Sequence, residues 1–240
     1  MGRSTLDLNS DSLVNSQGNR AKILVLSFTD VQTDPRVLKQ VSVLNDRSEL
    51  HVSGYNCGGE GSFSKIPIEN GELPPRALRG LRRLFRMHSA VYWKNQPCLM
   101  RLLRRIQEEE FDLILANDWE CIPLAAHARK QKTKIFLDAH EYVLDQMGPS
   151  MKNTLLVRPQ VEWILQRYAS SVDSMATVSA GIADLYESQL GVPRPHVLPN
   201  VSPYRDLTPS LVKPDKIRLI HHGLANRERR IETMIEMMNY

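Results

Sequence analysis

The sequence has no run of eighteen apolar residues, so it offers no transmembrane helix. Residues 1–18 are polar and rich in Ser, Asn and Asp, without the apolar stretch of a secretory signal. Gly2 is not followed by Ser or Thr at position 6, so the myristoylation pattern is poorly met. Cysteine is scarce: Cys57, Cys98 and Cys121 stand far apart with no C-x-x-C pair. That argues against a zinc site or a redox motif and for reduced thiols in a cytosolic protein. Neither G-x-G-x-x-G after the first strand nor G-x-x-x-x-G-K-[ST] occurs, which leaves a plain NAD-binding domain unsupported and removes a P-loop. No repeat or low-complexity segment is visible, and nothing points to nucleic acid as a partner.

What is present is an ordinary globular composition, 42% hydrophobic and 24% charged over 240 residues. Such a length can bury one large core or two smaller ones. Net charge is only +4, but Arg76, Arg79, Arg82, Arg83, Arg86, Lys94, Arg101, Arg104 and Arg105 crowd into one stretch.

The run from Ala21 to Phe28 is nearly continuous in apolar residues, the pattern of a strand covered on both faces. Thr29 to Thr33 reads as a loop, and Asp34-Pro35 as a helix N-cap with a first-turn proline. Val37, Leu38, Val41 and Leu44 then give a helical stripe, and residues 50–54 a second strand. Strand, helix, strand in that order argues for a parallel sheet. Glycines and prolines between 58 and 75 read as loop. Basic helices are expected at 76–87 and 97–109, and strands at 111–116, 134–137, 174–178 and 196–198. Helices at 122–130, around 155–168 and at 181–190 separate those later strands, with Pro159 either kinking its helix or opening it. The expectation is a tail at 1–20, one α/β domain at 21–200, a proline-marked linker at 201–216, and at 217–240 the first strand and helix of a second domain that is not completed.

In an open parallel sheet, ligands sit beyond the carboxyl ends of the strands. Several expected strand ends carry polar residues: Thr29-Asp30, Asn117-Asp118, His140-Glu141, Ser179, and Asn200 before the linker. One such pair alone is weak, because His140 could simply cap a strand. The series along one edge suggests a shared groove. Trp119, just after a strand end, is placed near that groove, whereas Trp163 on a helix suits the core.

Asp34-Pro-Arg-Val37, Ala116-Asn-Asp-Trp119, Asp138-Ala-His-Glu141, Val178-Ser179 and Leu198-Pro-Asn200, with the stretch from His221 to Glu232, together resemble retaining glycosyltransferases of the GT-B fold, family 4 type. The likeness runs over roughly 21–240. It implies two Rossmann-like domains, doubly wound parallel sheets, the first holding an acceptor and the second a nucleotide-sugar. On that resemblance His140 and Glu141 take the catalytic positions, His140 placing an acceptor hydroxyl or the sugar and Glu141 orienting it. Thr29, Asp30, Asn117, Asp118, Trp119, Ser179 and Asn200 line the acceptor groove. Gly223, Arg227 and Arg229 meet the donor diphosphate, which suits basic groups at a helix start. No cofactor or metal is expected, only a nucleotide-sugar and a sugar or lipid-linked acceptor.

The sequence also departs from the family pattern. A glycine-rich loop after the first strand is missing, Arg230 stands where the family has Gly, and the E-x7-E donor motif would lie deeper in the second domain. The 240-residue chain alone is therefore expected not to turn over. A non-catalytic acceptor-binding scaffold and a UDP-sugar epimerase of the same fold stay open as alternatives. Leu81, Leu84, Phe85 and His88 form an apolar face beside the arginines. Either it packs on the domain or it lies on an anionic membrane, making the protein cytoplasmic and peripheral to the inner face.

Overall fold

The computed structural model describes residues 12–58, 62–144, 151–202, 204–208, 211, 215, 218–223 and 230–239. It divides into two units, 1–201 and 202–240.

The first unit is built on one parallel sheet. Its strands are β1 (Lys22–Asp30), β2 (Glu49–Tyr55), β3 (Ser64–Pro67), β4 (Leu113–Asn117), β5 (Lys134–Asp138), β6 (Ser174–Thr177) and β7 (His196–Val197), in the spatial order β3-β2-β1-β4-β5-β6-β7. Every adjacent pair is parallel. β1 is central because both of its faces are covered: Ile23 to Ser27 are all buried. Alternation along the strand then sends Leu24 and Leu26 into one core and Ile23 and Val25 into another.

The first core is closed by α4 (Pro97–Gln107), α5 (Ile122–Ala128), α6 (Arg158–Tyr168) and Tyr186 of α7 (Ala180–Leu190). α1 (Pro35–Leu44) covers the other with Val37, Val41 and Leu44. Helices on both faces of a parallel sheet make the doubly wound α/β class. Asp34 starts α1 by accepting from the Arg36 and Val37 N–H groups at 2.9 and 3.4 Å. Gly191, at φ 63°, ends α7 in the left-handed conformation that glycine adopts most freely.

Some local expectations are corrected. β1 runs on through Thr29 and Asp30, which the sequence placed in a loop, because Asp30 still pairs with Tyr55 of β2. β3 lies in the stretch read as loop; it is a four-residue edge strand ending at Pro67, and such short edges leave little periodicity to read. The first basic helix, α2 (Arg76–Leu84), ends before the expected 87, the chain turns at Arg86, whose φ is 50°, and a helix the sequence did not place follows, α3 (His88–Trp93). Pro159 opens α6 after a π-helical turn at Asn153–Val157.

Residues 12–20 are not a free tail. Leu13 is buried, its N–H donates to the Arg47 carbonyl at 2.7 Å, and Val14 bridges to Arg20. Residues 1–11 lie outside the described residues.

In the second unit, α8 (Ile231–Glu236) forms and continues into a 3-10 turn at Met237–Asn239. Residues 218–220 carry no strand, and Ile217 is outside the described residues. A strand needs a partner edge, and none is formed with it among the described residues.

Candidate functional site

The carboxyl ends of β4, β5 and β6 meet at His140. β4 and β5 pair in a register that sets Asn117 beside Asp138. Asp118, one residue beyond Asn117, and His140, two beyond Asp138, then face one another. His140 Nδ1 lies 3.4 Å from Asp118 Oδ2, and Nε2 lies 3.3 Å from Asp138 Oδ2. Nε2 is buried and makes no linear hydrogen bond, so its attraction to Asp138 is one of charge. The imidazole side chain is 10% exposed, against 35% for Asp118 and 21% for Asp138. Two carboxylates therefore reach the surface while the ring lies beneath them.

Burial disfavours the charged imidazole, but the carboxylates of Asp118 and Asp138 outweigh it and raise the His140 pKa to about 9. At neutral pH the ring is a cation and a proton donor, not a general base. As a cation it can hold the two partly exposed carboxylates in place, and carboxylates are good acceptors for hydroxyl groups.

The backbone at this point is strained. Asp118 sits at φ 66°, ψ 160°, a region nearly confined to glycine, and His140 has φ 51°. Both are tied down. The Asp118 N–H donates to the Asp138 carbonyl at 2.9 Å, and the His140 carbonyl accepts from Thr177 Oγ1 at 2.7 Å and the Val178 N–H at 3.3 Å. Tyr186 fixes the residues that follow, its hydroxyl donating to the Glu141 carbonyl at 3.0 Å. Burial pushes the Tyr186 phenol up, so it stays a neutral donor.

A second layer comes from α1. Gln40 Nε2 donates to Asn117 Oδ1 at 2.9 Å and to Asp138 Oδ2 at 3.0 Å. Asn117 Nδ2 returns a bond to Gln40 Oε1 at 2.9 Å and donates to the Leu26 carbonyl at 3.4 Å. Gln40 was not singled out from the sequence, and Asp138 was named only as the first residue of the Asp138-Ala-His-Glu141 motif, with no role of its own. Its place as the polar last residue of a buried strand is the signal that marks it. Gln40 carries no comparable signal, since nothing in a helical stripe marks which polar residue turns inward.

Of the residues singled out, Asn117, Asp118 and His140 come together. Ser179 follows Val178, whose N–H bonds the His140 carbonyl, but its own hydroxyl caps α7, accepting from the Ile182 N–H at 3.3 Å. Trp119 is half-buried against the main core and not a free stacking face. Thr29 donates to Asp34 Oδ2 at 2.8 Å, and Asp30 accepts from Asn56 Nδ2 at 2.6 Å, so both serve the β1–β2 corner. Asn200 accepts from Lys39 Nζ at 3.0 Å. Glu141 is exposed, and the acidic groups flanking the His140 ring are Asp118 and Asp138. Gly223, at φ 137°, lies in the second unit, and Arg227 and Arg229 lie outside the described residues. No three His, Cys, Asp or Glu side chains converge as metal ligands among the described residues. Among them too, no helix is long and apolar enough to cross a membrane.

A profile of the glycosyl transferase 4-like domain matches residues 54–201. No curated protein sequence matches significantly. Among solved structures, the chain is similar to a lipopolysaccharide outer core galactosyltransferase, WaaB, in its apo form: 16% identity, TM-score 0.50, covering 81% of this chain and 50% of that one. It also matches an Arabidopsis thaliana protein, UGT89C1, complexed with UDP-L-rhamnose at 12% identity and TM-score 0.47, covering 79% and 54%. Sucrose-phosphate synthase from Thermosynechococcus elongatus matches at 14% and 0.47, covering 75% and 48%. The chain spans about half the length of these structures.

Proposed function

We propose, because this chain belongs to the glycosyl transferase 4-like domain family, that it takes part in sugar transfer from a nucleoside-diphosphate donor, with the Asp118–His140–Asp138 edge holding the acceptor. The observation that carries this is the buried imidazolium between two partly exposed carboxylates at strand ends, on backbone that is strained at both Asp118 and His140.

In this reading an acceptor hydroxyl donates to the Asp118 carboxylate, which His140 keeps in position. The hydroxyl oxygen bonds to the anomeric carbon as the bond to the diphosphate breaks, the diphosphate leaves with that electron pair, and the hydroxyl proton passes to the Asp118 carboxylate. Transfer retains the anomeric configuration. The donor diphosphate is assigned to Gly223, Arg227 and Arg229, the two guanidinium groups offsetting its leaving charge. The acceptor is a saccharide, free or lipid-linked.

Acceptor binding is tested directly by the ¹H–¹³C resonances of the His140 ring during titration with a panel of free, phosphate-linked and prenyl-phosphate-linked saccharides. At least one should shift the ring resonance, and Asp118→Asn should abolish that shift. If no saccharide in the panel moves it at millimolar concentration, the reading is wrong. Product anomers from a panel of nucleotide-sugars, read by their proton coupling, test retention.

A further inference from the structure

Helix α2 is built the wrong way round for a helix on a soluble domain. An amphipathic helix ordinarily turns its apolar stripe inward. None of residues 76–84 is buried, and Leu81, Leu84 and Phe85 are 50%, 66% and 69% exposed. Leu78 and Met87 are exposed on the same segment. The arginines partly lean the other way: Arg82 Nη1 donates to Asn95 Oδ1 at 2.9 Å, and the Arg79 Nε is buried. α4, equally basic, does the ordinary thing and buries Leu99, Leu102, Leu103 and Ile106. His88 also turns inward, its Nδ1 3.0 Å from Gln160 Oε1. Among the described residues of this basic stretch, the exposed apolar side chains concentrate on α2 and the turn after it.

Its charge is one-sided. Between Glu72 and Glu108 there are eight arginines and one lysine and no acidic residue. A second copy of this chain is a poor cover, because a two-fold contact would set the basic patch against itself. Leucines and a phenylalanine flanked by arginines fit the boundary of an anionic bilayer, where the apolar side chains enter the acyl region and the guanidinium groups meet the headgroups.

We propose that α2 is an in-plane anchor that docks the protein on an anionic lipid surface through Leu81, Leu84 and Phe85, with Arg76, Arg83 and Arg86 on the headgroups. The anchor is linked to the site through α3. α2 and α3 pack together, and Tyr92 of α3 donates its hydroxyl to the Glu120 carbonyl at 2.7 Å, two residues from Asp118. Docking would bring a lipid-linked acceptor to Asp118 and His140, and only that consequence rests on the function proposed above.

The test is vesicle flotation of the purified chain. The vesicles are a three-to-one mixture of phosphatidylcholine and phosphatidylglycerol, with phosphatidylcholine alone as control. The protein should float with the anionic vesicles at low salt, less so at high salt, and not with the neutral ones. The Leu84→Ser/Phe85→Ser double variant should lose at least about ten-fold in partitioning, and Arg83→Gln or Arg86→Gln about five-fold each. All four side chains are exposed, so circular dichroism should be unchanged. No flotation with anionic vesicles at low salt overturns the proposal, as does flotation unaffected by the double variant. So does a concentration-dependent dimer that the double variant abolishes, or oligonucleotide binding without vesicle binding. Failure here leaves the saccharide-induced shift at His140 untouched, and failure there leaves flotation untouched.

Discussion

Protonation of His140 should control both stability and the shape of the site. The perturbation is pH, with His140→Gln as the reference in which no charge can be lost. The folded pKa, about 9, lies above the ordinary imidazole value of 6.5. The group therefore stabilises the fold fully below pH 6.5 and stops doing so as pH rises through 9. A rise of that size corresponds to an upper limit on the order of 3 kcal/mol. Screening of the partly exposed Asp118 and Asp138 brings the expected contribution to about 1.5–3 kcal/mol. Urea unfolding, followed by the circular dichroism of the α/β unit, measures it at pH 6, 7.5 and 9. Between pH 6 and 9 the wild type should lose about 1.5–3 kcal/mol more than His140→Gln. The ring resonance, followed over the same range, should titrate near 9 and fall well below that in Asp118→Asn. Parallel pH slopes for the two proteins, or a ring that titrates at or below 6.5, would refute the ion-paired imidazolium and with it the arrangement of the site.

Asp118→Gly should change sign with pH: at pH 6 it loses the ion pair and is less stable, whereas above the His140 titration relief of the φ 66°, ψ 160° backbone leaves it about 1 kcal/mol more stable than wild type by urea unfolding. Gln40→Ala strips the buried Asn117 amide of its side-chain partner and should destabilise by about 1–3 kcal/mol; it should also alter the His140 ring shift without removing the titration, since Asp118 and Asp138 remain. Gly54→Ala places a methyl 2.5 Å from Val31 Cγ2 and 3.2 Å from the Thr29 carbonyl oxygen, and should cost about 1–3 kcal/mol in a thermal or urea melt.

Strands whose signal is local were legible. β1 could be read from its apolar run, since a strand buried on both faces needs no alternation, and α1 from Asp34-Pro35 followed by its stripe. The expected polar strand ends followed from the parallel sheet alone, which is how His140 came to notice. What the ring touches was not legible. Glu141 is adjacent in sequence, yet the partners are Asp118 and Asp138, because the β4–β5 register puts Asn117 opposite Asp138 and so the residues that follow at one level. Thr29 and Asp30 show the reverse failure. They are polar and at a strand end, but the nearby Asp34 cap and Asn56 claim their hydrogen bonds. The orientation of α2 was undecidable as well: its spacing fits an inward or an outward apolar face, and only packing tells them apart.

The strain at Asp118 and His140 has a topological origin. Strand order reverses between β1 and β4, and at such a point the helices leave on opposite faces, opening a gap at the strand ends. α1 departs on one side and α5 on the other. Gln40 is long enough to span from α1 to Asn117 and Asp138 and so fixes the ends of β4 and β5 together. The chain turns just beyond each end, and Asp118 and His140, neither a glycine, make that turn at positive φ. Relaxing either residue alone would break bonds held by the other strands: Asp118 N–H to the Asp138 carbonyl, or the His140 carbonyl to Thr177 and Val178. The carboxylates are therefore positioned by hydrogen bonds from three strands and one helix, not by their own rotamer preferences. On the function proposed above, a site so over-determined would hold an acceptor hydroxyl in one place without reorganising when it binds.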